Sequence, residues 1–411
     1  MIEFAYAYNN TKSNSMSLPE VKIRFKNGQL GSVEQLDDSV TGLVCSATAV
    51  SGKFSLGKSY LITKYDDLES LGVSSTNNAR LEKSVREFYD EAPTGTKLWI
   101  YGVANTVTME DICDKTKDKA ITLLKDADGA IRTLIIAKDD ASSYTPTMQG
   151  SIDKDVVSAM TKAQGLAEEV TETLKAPLFV ILEGRHYNGT ASSLGDLTKG
   201  SYNRVSVLIG DTVASSKGAC VGLLAGRIAA IPVQRSVARV KTGTINASEL
   251  YIGAALAGQS EAEIISDLGY IVPRTFVGKA GYYWSDDKIA TSSNDDYALI
   301  PRRRVIDKAY RVAYTTMLNT VGDEIAVTAE GKIPSAIVKS IQQEVESAIE
   351  NTMTVNGNLA TDAEDPNDNG VKCFIDTDQN IVQTGYLDVN LAVRPYGYAK
   401  YININLGFQT V

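Results

Sequence analysis

Residues 52–59, Gly52-Lys53-Phe54-Ser55-Leu56-Gly57-Lys58-Ser59, satisfy GxxxxGK[ST] and follow an apolar run at 43–50. In a phosphate-binding loop, backbone amides at a helix start cradle the phosphates. The lysine reaches the outer phosphates, and the serine hydroxyl holds magnesium. Asp211, closing Val207-Leu208-Ile209-Gly210-Asp211, would then stand at a magnesium-binding strand end. The motif requires a helix to begin at Lys58-Ser59, but Tyr60-Leu61-Ile62-Thr63 follows, and its aromatic and β-branched residues predict a strand. A hairpin is therefore expected at 52–59, with a P-loop nucleotide-binding enzyme as the alternative function.

Three further motifs have a structural account. Gly218-Ala219-Cys220-Val221-Gly222 has the GxCxG form of a nucleophile elbow, yet residues 211–217 separate it from the preceding strand. The only histidine, His186, also precedes it in the chain. Gly222, Ala225, Gly226, Ala229 and Ala230 predict close helix packing instead. Asp365, Asn367, Asn369 and Gly370 fit positions 1, 3, 5 and 6 of a calcium loop, with Asp376 at position 12. Asp replaces the bidentate Glu, Pro366 stands at position 2, and no entering helix adjoins, so an acidic turn is expected. His186 has no carboxylate or nucleophile near it in sequence and reads as a loop residue. No catalytic residue, cofactor or metal is expected, and the reading is not that of an enzyme.

The elements around these motifs alternate. Apolar runs at 43–50, 97–103, 131–137, 178–182 and 205–209 predict strands buried on both faces. Helical periodicity occupies 81–89, 109–126, 152–174 and 217–230. This alternation predicts a layered α/β domain with a largely parallel sheet. Beyond it the patterns predict a Gly/Ala-rich helical patch after Gly243, strands near 271–277 and 281–284, a helix at 305–318, a strand at 324–328 and a helix at 335–352. At the end, Leu387, Val389, Leu391 and Val393 alternate, and so do Ile402, Ile404, Leu406 and Phe408, predicting two strands. Val21, Ile23 and Phe25 alternate with Lys22, Arg24 and Lys26, a strand with an edge guard of cations. Residues 1–16 read as a polar arm. Both ends of the chain thus carry edge strands that need a partner.

The formal charge of −9 argues against a nucleic-acid partner, since phosphate contacts need clustered cations. No 18-residue apolar stretch predicts a membrane span, and the start shows no secretory pattern. Four cysteines without CxxC spacing suit a reducing cytoplasm. Twenty tyrosines against 8 phenylalanines favour interfaces.

Several stretches together resemble contractile tail sheath proteins, the Mu-like sheaths of phages and phage-derived contractile injection systems. They are Leu18-Pro19-Glu20-Val21-Lys22-Ile23; Gly57-Lys58-Ser59-Tyr60-Leu61-Ile62-Thr63 with Asp66-Asp67-Leu68-Glu69-Ser70-Leu71-Gly72; and Ala225-Gly226-Arg227-Ile228-Ala229 with Pro232-Val233-Gln234-Arg235-Ser236. The fullest runs from GKAGYYWSDDKIA, beginning at Gly278, to RRRVIDKAYR, ending at Arg311.

The resemblance implies an N-terminal arm over 1–26, an outer α/β domain over 27–290, a smaller α+β inner domain over 291–397 and a C-terminal arm strand over 398–411. It implies that Val21, Ile23, Phe25, Ile402, Ile404, Leu406 and Phe408 lie on strands exchanged between subunits. It further implies a helical homopolymer of stacked hexameric rings around an inner tube protein, contracting without ATP. Baseplate and tail-terminator proteins would be further partners. Lys339, Glu344, Glu346 and Glu350, on the helix at 335–352, are the expected tube-facing residues. Assembly in the producing cell's cytoplasm and residence in a virion tail or contractile particle are also expected, with no membrane insertion.

Overall fold

The computed structural model describes residues 37–407; Val21, Ile23, Phe25 and Phe408 lie outside the described residues. A six-stranded sheet contains β1 (Thr41–Ser46), β2 (Ser59–Ile62), β3 (Leu98–Val103), β4 (Thr133–Ala137), β5 (Phe179–Glu183) and β6 (Val205–Leu208), in spatial order β2-β3-β1-β4-β5-β6. All neighbours are parallel except β2, which closes one edge antiparallel to β3. Every residue of β1, β4, β5 and β6 is buried, as continuous apolar runs require. In chain order the five parallel strands run second-first-third-fourth-fifth, a doubly wound sheet whose order reverses between β1 and β4.

The helices form two groups. Helix α1 (Ala79–Glu91) packs on α5 (Val221–Ala230), whereas α2 (Met109–Cys113) and α3 (Ala120–Asp126) pack on α4 (Lys154–Leu174). Leu81, Val85 and Phe88 bury the inner stripe of α1. Gly222 and Gly226 let α5 approach it closely, because a Cβ would stand 2.3 Å from Ser84 O or Phe88 O respectively. Close packing, not a nucleophile elbow, accounts for that glycine spacing. The helix predicted over 109–126 is broken at Asp114, whose carboxylate accepts hydrogen bonds from the Thr116 amide (2.9 Å) and hydroxyl (2.8 Å) and turns the backbone locally. Asp155 at the start of α4 then caps α2, accepting from the amides of Met109 (2.8 Å) and Glu110 (3.0 Å).

After the sheet, α6 (Gln259–Asp267) leads to a hairpin of β7 (Pro273–Phe276) and β8 (Lys279–Trp284), followed by α7 (Ile300–Met317), α8 (Ser335–Ile349), β9 (Val371–Ile375) and β10 (Val389–Val393). Strands β9 and β10 pair antiparallel. Val371, Cys373 and Ile375 turn toward α8, and two apolar clusters lie between the pair and α7 and α8. Sequence periodicity misplaces three pieces. Residues 324–328 form no strand, two short strands (Tyr251–Ile252 and Ala255–Leu256) replace the helical patch after Gly243, and residues 401–407 have no regular structure. An alternating segment becomes a strand only beside a partner, and none lies beside 401–407 among the described residues.

Replacing Gly226 with Ala should force α1 and α5 apart and cost ~2–3 kcal/mol of stability. Urea unfolding would show this as a lower midpoint with an unchanged slope.

Candidate functional site: a charged helix and the root of an arm

Helix α7 carries apolar residues on one face and buried charges on the other. Val305 and Ala309 enter the smaller core, while Arg303, Arg304 and Asp307 are also buried. Buried charges must be paired to be tolerated. Arg303 Nη2 donates to Asp307 Oδ1 at 2.7 Å, one helical turn away. Arg204, just before β6, reaches the same carboxylate at 3.2 and 3.3 Å and the carbonyl of Leu178 at 2.9 Å. Arg304 donates to the carbonyls of Ile231 (3.2 Å) and Pro232 (3.3 Å), and burial pushes its guanidinium down to about 10 despite nearby Asp38. Lys308 Nζ lies 2.7 Å from Asp38 Oδ2, and Arg311 pairs with the same carboxylate. Burial alone would raise the Asp38 pKa, but Arg311 and Lys308 outweigh it and hold it below the ordinary range. Helix α7 thus ties the parallel sheet, the segment after α5 and the first described residues to the C-terminal region.

The C-terminal segment is fixed next to this helix. Tyr398 Oη donates to Gln234 O at 2.6 Å. Lys400 Nζ pairs with Asp286 and lies 3.4 Å from Asp287 Oδ1. The chain then leaves the surface: Ile402, Ile404 and Leu406 are 75%, 81% and 95% exposed.

The edges of the β9–β10 pair differ. Arg394 N donates to Gly370 O (2.8 Å), so by alternation the amide and carbonyl of Cys373 face outward. Helix α8 occupies both: Glu346 Oε1 accepts from Cys373 N at 2.7 Å, and Gln342 Nε2 donates to Cys373 O at 3.0 Å. The same alternation turns the backbone of Val389, Leu391 and Val393 outward on β10, where nothing among the described residues pairs with it. Those three side chains are only half-buried.

The other candidate residues stand elsewhere. Lys339 and Glu344 are exposed on α8, Glu346 is engaged with Cys373, and Glu350 accepts from Asn369 at 3.3 Å. Lys58 and Ser59 lead into β2, with no helix start there. The expected hairpin is confined to a bridge between Val50 and Phe54, since β2 pairs with β3 and not with β1. Burial of Cys220 raises its thiol well above the ordinary range, against a nucleophilic role. In the acidic loop, Asp365 accepts from Asn367 N (3.0 Å) and Asp368 pairs with Arg394, both as turn contacts. His186, read as lacking a carboxylate neighbour, lies with Nε2 3.1 Å from Asp140 Oδ2, which folding brings from 46 residues away.

Open α/β sheets bind ligands beyond the carboxyl ends of their strands. Here that crevice holds ion pairs: Lys83 lies 2.5 Å from both Glu87 and Asp211, and Glu183 pairs with Arg80. The remaining cavity beside Gly184, Gly210 and Asp211 is about 10 Å³, room for about one water. Sequence reasoning quoted Asp286 and Asp287 without assigning them a role and passed over Asp38, Gln342 and Lys400. The paired acids within an aromatic stretch, GYYWSDDKIA, were the available signal.

Two sequence profiles cover nearly all of the chain, the DUF2586 N-terminal domain at residues 18–288 and the DUF2586 C-terminal domain at 296–411. The chain belongs to the DUF2586 family. Lys400 and its acidic partners therefore join the segments matched by the two profiles. No curated protein matches the sequence. Among solved structures, a chain of the anti-feeding prophage baseplate, 6-fold symmetrised, matches with a TM-score of 0.61 at 16% identity, covering 96% of this chain and all of that one. The PVC sheath complex of an extracellular contractile injection system in its contracted state gives 0.60 at 16% identity, covering 97% and 99%. The anti-feeding prophage baseplate in its contracted state gives 0.57 at 15%, covering 96% and 99%. This DUF2586 chain has the contractile-sheath fold that its sequence resembles.

Asp307→Ala would leave Arg204 and Arg303 buried without their carboxylate. A loss of about 3–5 kcal/mol is expected, read by thermal and urea unfolding against a conservative Asp307→Glu control.

Proposed function

We propose that this protein is the structural subunit of a contractile sheath. Subunits polymerise as a helical cylinder of stacked six-membered rings around an inner tube protein, with baseplate and tail-terminator proteins at its ends. The observation that carries this reading is the segment 401–407, anchored at Lys400 and presenting alternate apolar side chains to solvent. An alternating apolar segment with no backbone partner among the described residues needs another chain, and the β10 edge, likewise unpaired among them, offers the complementary hydrogen-bonding row. A head-to-tail contact of this kind generates an open helix rather than a closed dimer. The contracted-state sheath relative and the six-fold baseplate relative support the same assembly.

In this reading residues 1–26 form an arm, 27–290 the outer domain, 291–397 the inner domain and 398–411 the second arm. Val21, Ile23 and Phe25 act on one arm, and Ile402, Ile404, Leu406 and Phe408 on the other. Lys339 and Glu344 on α8 and Glu350 just past its end face the tube, while Glu346 holds the β9 edge. Contraction is rigid-body rotation of subunits from a metastable lattice, with no nucleotide hydrolysed. Assembly takes place in the producing cell's cytoplasm, and the mature protein resides in a virion tail or contractile particle.

Negative-stain electron microscopy of the purified protein should show long hollow cylinders, and deletion of residues 401–411 should leave a folded, soluble monomer. Discrete particles from the intact chain at high concentration, or cylinders from the truncated one, would overturn the proposal.

A further inference from the structure

Lys83 and Glu87 stand one turn apart on α1, and Lys83 also meets Asp211 just past β6. Lys83 Nζ lies 2.5 Å from Asp211 Oδ1 and 2.5 Å from Glu87 Oε1. The group is dry, with the Glu87 and Asp211 side chains each 3% exposed and that of Lys83 15%. Its members are held from several sides. The Tyr251 backbone grips Asp211 by two hydrogen bonds, at 2.9 and 2.8 Å. The Thr212 amide donates to Asp211 Oδ1 at 2.7 Å, and the Thr212 hydroxyl to Glu87 Oε1 at 2.9 Å. Ser216 Oγ donates to Asp211 Oδ2. Arg80 is engaged with Glu183 and with the carbonyl of Ala219, and its Nη1 is 3.9 Å from Asp211 Oδ2.

One lysine thus serves two carboxylates, and a dry site of that composition favours a proton on one of them. Glu87 is that group: burial raises its pKa, Lys83 opposes the rise without cancelling it, and Asp211 adds to it. For Asp211 burial also raises, but Lys83 and Arg80 outweigh it and the pKa is lowered. A nucleophilic amine, an acyl carbon and a proton carrier, the three groups that amide formation needs, therefore meet in one place.

We propose that Lys83 and Asp211 condense spontaneously into an intramolecular isopeptide bond, with Glu87 as the proton carrier. Lys83 first passes a proton to the Asp211 carboxylate, exchanging a buried ion pair for a neutral amine and a neutral acid. The Nζ lone pair then attacks Cγ, which stands one C–O bond from Oδ1, within about the 3–3.5 Å of a near-attack arrangement. The Thr212 amide stabilises the charge that develops on Oδ1. Glu87 takes a proton from Nζ and gives its own to Oδ2, which departs as water, so Glu87 ends as it began. A C–N bond replaces a C–O bond, and an ammonium and a carboxylate become an amide and one water. Ser216, the donor to Oδ2, lines the cavity of about 10 Å³ that has room for that water. The bond joins α1 to the segment after β6 across 128 residues. It does not depend on the sheath reading.

The test is the intact mass of the full chain under denaturing conditions. The chain should be lighter than its sequence by one water, and proteolysis should release a branched peptide joining Lys83 to Asp211. Hydroxylamine should leave that peptide intact, which separates the amide from a cyclised Asp128-Gly129. Glu87→Gln, close in shape, should stay at full mass, as should Lys83→Arg. If neither variant folds, the wild-type peptide alone carries the test. A wild-type chain at full mass, or a water lost from a linear peptide, overturns the bond. A branched peptide that persists in Glu87→Gln overturns the role of Glu87. Cylinder formation is a separate readout, so failure of the bond and failure of the sheath reading are distinguishable.

Discussion

The structure depends on the pairing of buried charge along α7. Arg303, Arg304 and Asp307 lie on a face that helical periodicity alone would assign to solvent; Arg303 pairs with Asp307 within the helix, Arg204 joins the same carboxylate from before β6, and the carbonyls of Ile231 and Pro232 take Arg304. Removing one partner would strand the others in a dry environment, which costs far more than the pairs contribute net. Charged contacts of this kind fix orientation better than an apolar seam, because a slip of a few ångströms breaks them. The helix therefore holds the parallel sheet and the β9–β10 pair in one relation. The rigid-body rotation proposed above would require that property.

Against that rigid frame, the chain's edges are treated unequally. On β9, Gln342 and Glu346 take the outward backbone groups of Cys373, an internal version of edge protection. On β10 the corresponding groups have no partner among the described residues, and the inner side chains are half covered. The segment beyond Lys400 has the alternation of a strand and, among the described residues, nothing to pair with. Under the proposed function, one unfilled edge and one alternating segment in the same chain would complement each other between copies.

Much of the sheet was legible in sequence because both-face burial writes continuous apolar runs. Residues 133–137, 179–183 and 205–208 stand where such runs predict them. The glycines at 222 and 226 also announced close packing correctly. Local competition escaped the periodicity: Asp114 breaks a helix by bonding Thr116, and the pattern at 324–328 lacks a neighbour to make it a strand. The residues after the phosphate-loop match at 52–59 form the strand their types predict, although that strand pairs with β3 instead of returning to β1. The anchoring pairs were the least legible. Asp38 with Arg311, Asp140 with His186 and Asp286 with Lys400 join residues far apart in sequence, and no spacing rule reaches across such separations.

In the proposed sheath, residues 401–407 lie beside β10 of another copy, an arrangement that can be trapped covalently. It is tested most directly by cross-linking. Cysteines placed at Asn403 and Asn390 in one chain, with the four native cysteines buried, can be joined by a short bismaleimide under assembling conditions. The account predicts a ladder of covalent multimers on a denaturing gel. A product that runs only as a monomer, joined within its own chain or not at all, would contradict it.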